Sequence, residues 1–414
     1  MRILVDAMSG DNAPLEIIKG ASLAAKEFPE HKIVLVGDEN IISDTAVKND
    51  ISVEGMEIIH APGVITMEDS PLSVVREKRD SSMCIGFKTL AKGEVDAFVS
   101  AGNTGALITG ATIIVKRITG INRPAIASVI PLNNPVLLMD SGANLQVTSD
   151  NILQFAFMGA KYMEKIYGIE RPRIGQLNNG TEYNKGNALQ VESYQLLQDS
   201  GLNFVGNVEA KTVPFDTCDV LVCDGYTGNI FLKSVEGMGK FLMNTLKEVF
   251  YTNLVTKVSA LTMKEKIKEM KQRFDASEHG GAPILGVTKP VIKAHGSSDA
   301  NAIKNAVRQA LHFVETGINN DIAIFAEDYD DKKLLADAET LVVGVNADTG
   351  VTQHGFRTGS GNHNFAGTVC QRVTNMPQMA RLVHIFNLSI GQGGHTMGTP
   401  VNDPAALIDQ IFLI

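Results

Sequence analysis

Five clusters of Gly, Asn, Ser and Thr each follow an apolar, strand-like run: DAMSGDNAP at 6–14, SAGNTGA at 100–106, DSGAN at 140–144, NNGTEYNKGN at 178–187 and CDGYTGN at 223–229. Glycine lets a backbone approach a ligand closely, Asn and Thr donate to oxygen, and the start of a helix exposes unpaired N–H groups, so such clusters suit an anion. The same residues also form ordinary turns. Asn103, Thr104 and Gly105 run straight into an apolar helix and are the candidate anion nest. Asn144, Asn187 and Gly228 in the other clusters are further candidate phosphate or substrate contacts, Asn229 is placed to donate to an oxyanion, and Asp224 either touches substrate or braces its loop.

Two cationic or titratable groups stand beside these loops. Lys185, between Gly180 and Gly186, can bring an ammonium to a phosphate or to the oxyanion of a thioester adduct, or lie in solvent. In KAHGSSDANAIKNA at 293–306, His295 can bind an anion or shuttle a proton, Ser297 lies beside it, and Ser298 reads as the cap of the next helix.

Other chemistries find less support. Asp6, Asp11, Asp140 and Asp224 all follow strands but lack a short ligand spacing, and His354, His363, His384 and His395 are scattered, so no metal is expected. There is no GxxxxGK[ST] loop, dinucleotide fingerprint or GxSxG elbow, and no cofactor is expected. Cys84, Cys218, Cys223 and Cys370 form no CxxC pair and read as reduced thiols; Cys223 ends an apolar strand without an evident partner, which disfavours a covalent acyl-cysteine.

The elements that must position these loops alternate between strand and helix. RILVDA at 2–7, KIVLVG at 32–37, MEIIHA at 56–61 and VDAFVSAG at 95–102 read as strands, with helices over 14–28, about 70–92 and 105–117. This order implies α/β architecture around a parallel sheet covered on both faces. AIASVI and VLLMDSG flank a PLNNP turn and read as neighbouring strands at an edge or lobe junction. A helix capped by Ser149 follows, then strands RIGQL, FVGNV and CDVLVCDG around a helix over 186–201. Residues 284–292 and 322–325 read as strands flanking a helix over 299–316.

The stretch from 233 to 274 reads as one long helix, protruding over about 240–275, whose second half is amphipathic and lysine-rich. Met263, Lys266, Met270 and Lys271 on it are candidates for contact with an acidic carrier protein or an anionic membrane; a surface helix packed on the core or a second subunit is the plainer alternative. The chain has 414 residues and a net charge of -9, which excludes a small module and gives no global attraction to nucleic acid. The N-terminal apolar run is interrupted at Asp6, too early for a signal peptide, and no apolar run reaches membrane-spanning length. Beyond 331 the texture shifts toward Gly, Asn and His, and 331–414 is an unassigned extension to a core over 1–330.

Taken together, DAMSGDNAP, REKRDSSM at 76–83, SAGNTGAL, DSGAN, LQFAFMG at 153–159, KGN at 185–187, VGNVEA at 205–210, CDGYTGN, GGAPILGV at 280–287 and KAHGSSDANAIKNA resemble the bacterial phosphate acyltransferases of phospholipid synthesis. The resemblance spans about residues 1–330 in order. It implies a three-layer α/β/α core like those of isocitrate and isopropylmalate dehydrogenases and phosphate acetyltransferases, a homodimer, and no nucleotide cofactor. It implies transfer of a fatty acyl group from acyl carrier protein to inorganic phosphate, in a cytoplasmic protein that touches the membrane peripherally. The acyl phosphate would feed a membrane enzyme that acylates glycerol 3-phosphate. The chain departs from the family pattern at Ser9, where glycine is usual, at Ser141, where an apolar residue is usual, at His279, where an aromatic residue is common, and in the turn PLNNPVLLMD, which is shorter than its counterpart.

Overall fold

The structure, a computed structural model, describes residues 1–132, 134–252, 256, 263, 265–266 and 280–329. The chain divides into two units, Met1–Ala323 and Ile324–Ile414. Of the second, residues 324–329 are described and are helical; the extension over 331–414 lies outside the described residues.

The first unit begins β1 (Arg2–Asp6), α1 (Leu15–Glu27), β2 (Lys32–Gly37), α2 (Glu39–Lys48), β3 (Glu57–His60), α3 (Ser82–Ala91), β4 (Ala97–Ser100) and α4 (Thr104–Gly110). It continues through β5 (Ala125–Ile126), β6 (Ser128–Ile130), β7 (Val136–Met139), α5 (Ser149–Tyr167), β8 (Ile174–Asn178), α6 (Ala188–Asp199), β9 (Phe204–Glu209) and β10 (Val220–Val222). Then come α7 (Gly225–Tyr251), β11 (Ala282–Leu285), β12 (Val291–Lys293) and α8 (Ala300–Thr316). These strands form a seven-stranded sheet in the order β3-β2-β1-β4-β12-β11-β5 and a five-stranded sheet in the order β6-β7-β10-β8-β9. Pairing is parallel except where β11 meets β12 and β5, and where β6 meets β7.

The strands are short apolar runs because both faces of the larger sheet are covered. Ile3 and Val5 enter one buried cluster with α1 and α8, while Leu4 enters the opposite cluster with α3 and α4. The same alternation governs β12: Ile292 faces the first cluster and Val291 the second. Parallel strands of one sheet end at the same edge, so the loops after β1, β4 and β12 gather at one place and those after β7, β8 and β10 at another. The junction strands join the two: Ile126 N–H donates to the Asp140 carboxylate at 3.1 Å, and Ser141 N–H donates to the Ile126 carbonyl at 3.0 Å.

Several local expectations change. The helix over 70–92 is a 3-10 turn at Pro71–Val74, a loop, and then α3, because the charged REKRD run has no buried stripe and Lys78 ties it to the Val64 carbonyl at 2.9 Å. The cap of α5 is Thr148, in a reciprocal pair with Asn151, rather than Ser149. Asp299, rather than Ser298, caps α8 by accepting from Ala302 N–H at 2.9 Å. Residues 322–325 are helical: Ile318, Ile322 and Ala326 recur at steps of four and are fully buried, so helical burial overrides the β-branched composition. The helix α2 was not expected; Asp38 caps it through two backbone N–H groups.

Candidate active site

Around β1, β4 and β12 the loops are stitched by backbone and amide bonds. Asp11 N–H donates to the Gly296 carbonyl at 2.7 Å, and the Asn12 amide donates to the carbonyls of Ser297 and Ser298 at 3.1 and 3.2 Å. Beneath them Asp6 is fully buried and accepts the Ser100 hydroxyl at 2.8 Å. Burial pushes this carboxyl above its ordinary value, against the pull of nearby Ser82, Ser9 and Ser100 and of Met8 N–H. The buried hydroxyls of Ser9 and Ser82 reach no partner at hydrogen-bond geometry among the described residues. Ser9 causes no backbone strain: the positive φ in this turn, 116°, belongs to Gly10.

His295 and Ser297 lie together in this loop group. The Ser297 N–H donates to His295 Nδ1 at 3.2 Å, and a backbone N–H can only donate, so the neutral ring carries its proton on Nε2. The Ser297 hydroxyl reaches the same Nδ1 at 2.9 Å, and the imidazole is exposed, with Nε2 available as a donor. Asn103 has a different local duty. Its side-chain oxygen caps α4 through Ala106 N–H at 3.1 Å, while its amide donates to the carbonyls of Thr66, Met67 and Asp69. Asp69 in turn is held well below the usual carboxylate range, at about 2, by Lys78 and by the Thr66 N–H and hydroxyl. Thr104 and Gly105 form the first turn of α4 behind this clamp.

The loops after β7 and β10 interlock. Asp140 accepts from the backbone N–H groups of Gly142, Ala143 and Asn144 at 3.1, 3.0 and 2.6 Å, and from the Asn144 amide at 2.9 Å. Burial pushes its carboxyl up, while these donors favour the ionised form. Asn144 also donates to the Pro124 carbonyl at 2.7 Å, so it is a buried brace between lobes. Asp224 caps α7, accepting Thr227 N–H at 2.8 Å and the Thr227 hydroxyl at 2.7 Å. Gly228 is a contact glycine: a Cβ there would stand 2.0 Å from the Asp140 carbonyl oxygen. One turn into the helix, the Asn229 amide donates to the Ser141 carbonyl at 3.2 Å. Ser141 pairs its own hydroxyl with that of Ser128 at 2.7 Å, which accounts for a polar side chain at that buried place.

Lys185 ends up on the loop after β8, exposed, its stem lying over Gly180 and its carbonyl accepting the Asn178 amide at 3.0 Å. Asn187 caps α6 by accepting Leu189 N–H at 2.8 Å. The structure therefore brings together Ser297 with His295, and Asn144, Asp224, Gly228 and Asn229 with the Asp140 loop. No hydrogen bond among the described residues joins Asn103, Lys185 and Asn229 to one another. Met263 and Lys266 are exposed, whereas Met270 and Lys271 lie outside the described residues.

Cys223 is buried beneath this loop pair, and burial, with the charges of Asp224 and Asp140, raises its thiol well above its ordinary value. That suits packing and disfavours a thiolate nucleophile. Among the described residues no group of three His, Cys, Asp or Glu side chains is placed to hold a metal.

Lys293, the last residue of β12, escaped the reading of the sequence although it heads the quoted KAHGSSDANA run. It pairs in register with Ser100 on β4 and is half-buried. The only signal in the sequence was a charged side chain closing an apolar strand, which ordinarily marks a solvated strand end.

A family described as "Fatty acid synthesis protein" matches residues 1–321. Curated phosphate acyltransferases share this span: that of Thermoanaerobacter pseudethanolicus is 46% identical over 78% of this chain and 96% of its own length, and that of Brevibacillus brevis is 45% identical over the same shares. The crystal structure of a phosphotransacetylase from Streptococcus pyogenes superposes with a TM-score of 0.51 over 76% of this chain and 94% of its own, at 18% identity, a likeness of fold alone. With nearly the whole length of these relatives covered, the chain belongs to the bacterial phosphate acyltransferase family.

Proposed function

We propose that this phosphate acyltransferase takes a long-chain fatty acyl group from acyl carrier protein and delivers it to inorganic phosphate, giving acyl phosphate and the free carrier thiol. Near-complete coverage of the phosphate acyltransferases it matches is the observation that carries the reading. A phosphate oxygen bonds to the thioester carbonyl carbon, the carbonyl becomes an oxyanion, the C–S bond breaks, and the departing sulfur takes a proton. Phosphate already carries anionic oxygens at neutral pH, so the protein's task is to seat it beside the carbonyl and to stabilise the oxyanion. An amide has two N–H groups. With one of Asn229's spent on Ser141, the other is the oxyanion donor in this scheme; the proton taken by the departing sulfur is the one hydrogen phosphate brings, and the Nε2–H of His295 is a hydrogen-bond donor to the reacting groups. Lys185, Asn103, Thr104, Gly105, Asn144, Asn187, Asp224, Gly228 and Ser297 serve as the surrounding phosphate and substrate contacts, several of them by shaping loops rather than by touching the ligand.

The lysine-rich segment at 257–273 supports an acidic carrier protein as donor and a peripheral membrane contact. The exposed apolar side chains of Met238, Phe241, Leu242 and Val249 on α7 support burial against a second copy. No helix among the described residues is long and apolar enough to cross a membrane. Incubation with labelled phosphate and either acyl carrier protein or coenzyme A thioesters tests the donor. Acyl phosphate from the carrier substrate is expected; transfer from coenzyme A alone assigns the other donor, and binding without turnover assigns a scaffold.

A further inference from the structure

The larger sheet ends in a row of three polar side chains. Asp6, Ser100 and Lys293 close the adjacent strands β1, β4 and β12, in the registers Val5↔Val99 and Ser100↔Lys293. Each follows by two a residue of the same buried cluster, Leu4, Phe98 and Val291, so strand alternation puts all three on one face. Ser100 spends its hydroxyl on Asp6 and its carbonyl on Ala294 N–H, at 2.8 and 2.9 Å. The Lys293 ammonium has no hydrogen bond or ion pair among the described residues, although the backbone of Lys293 is paired with Ser100 and Ala282. It stands two strand spacings, about 10 Å, from the buried Asp6 carboxyl.

Lys233 and Glu236 of α7 act on the Lys293 ammonium with opposite sign. Asn229, Lys233 and Glu236 follow at steps of four and three, which is one face of a helix. The strand pairing ties the two groups together: Lys293 pairs with Ala282 on β11, Ile284 of β11 pairs with Ile126 on β5, and the Ile126 carbonyl accepts the N–H of Ser141, whose own carbonyl accepts the Asn229 amide. A half-buried ammonium without a partner weakens a fold, and such groups collect where a ligand supplies the counter-charge. Burial and Lys233 push Lys293 below its ordinary pKa, with Glu236 acting against them.

We propose that Lys293 is the cation that binds the phosphate acceptor, holding it from the β12 side while Asn229 faces the acyl carbonyl from α7. The assignment rests on the phosphate acyltransferase reading and deepens it, giving the acceptor a seat between the lobes.

Three proteins test it: the unsubstituted chain, Lys293→Met and Lys293→Arg. Binding of inorganic phosphate is measured by titration calorimetry without acyl donor, alongside KM for phosphate and for the thioester and the melting temperature. Lys293→Met is expected to weaken phosphate binding and raise its KM at least tenfold, to leave the thioester KM unchanged, and to keep or raise the melting temperature, because a buried unpaired charge is removed. Lys293→Arg is expected to restore part of the binding. Unchanged phosphate affinity in Lys293→Met, or a fall in melting temperature with both KM values shifted together, overturns the proposal. If the unsubstituted chain binds phosphate through Lys293 but forms no acyl phosphate, the proposed reaction fails and the anion seat stands. If it forms acyl phosphate and Lys293→Met is indifferent, only the seat fails.

Discussion

The Asp140 carbonyl oxygen occupies the space that a side chain on Gly228 would need, 2.0 Å from the position of its Cβ. Two loops distant in sequence can interlock only because the third residue after Tyr226's neighbour Gly225 has no side chain. Gly228→Ala should therefore force α7 away from the Asp140 loop, with a loss of about 1–3 kcal/mol of stability and most of the activity. In the same helix Gly237 has nothing within 4 Å of its Cβ position. Gly237→Ala should stabilise by about 0.5–1 kcal/mol, leaving turnover intact. Denaturant unfolding with parallel rate measurements checks both; equal effects from the two substitutions would deny the interlock.

Asn229 is bonded to the Ser141 carbonyl through one amide hydrogen, so Asn229→Ala loses a single surface-proximal hydrogen bond, about 1 kcal/mol, yet removes the proposed oxyanion donor. The expected result is a fall in kcat of about 10²-fold or more with little change in the thioester KM. A parallel fall in melting temperature and no specific loss of kcat would make the residue a brace only.

Lys185 is exposed and its stem covers only its own loop, so Lys185→Ala should leave thermal stability within about 0.5 kcal/mol. Turnover or phosphate use should drop markedly. Unchanged steady-state kinetics would remove Lys185 from the site.

Asp6 gives stability a pH dependence of definite sign. Its folded pKa lies above the unfolded 3.8, so in that window the folded chain holds a proton that the unfolded chain has released. Stability should fall as pH rises from 3.8 through the folded value and level off above it. Asp140, also raised, adds a fall of the same sign. Asp6→Asn keeps the shape and removes the charge, so its stability relative to the parent should grow between about pH 4 and pH 8. A difference independent of pH, from urea unfolding at both values, would contradict the assignment.

The clusters at strand ends were legible because an α/β sheet brings those ends to one edge, whatever the sequence distance between them. Their internal chemistry was less so. Asn103, Asn187 and Asp224 look alike as polar residues before helices, and all three turn out to be caps, a role that competes with ligand binding for the same oxygen. Lys293 was missed for the opposite reason: a terminal lysine on a strand reads as solvated, and its partial burial comes from a place between β4 and β11 that only the sheet order reveals. The PLNNP turn joins β6 to β7 within the smaller sheet, whereas the switch between sheets falls inside the AIASVI run, between β5 and β6, and the 3-10 turn at Pro71–Val74 was hidden by a run whose apolar residues mimic a helix start.

A structure of the protein with inorganic phosphate and a non-hydrolysable thioester analogue, at concentrations near their binding constants, tests the central claim most directly. The expected anion lies between the lobes, within hydrogen-bond reach of the Lys293 ammonium, with the analogue's carbonyl oxygen facing the Asn229 amide. An anion held elsewhere, with both side chains left untouched by either ligand, would contradict it.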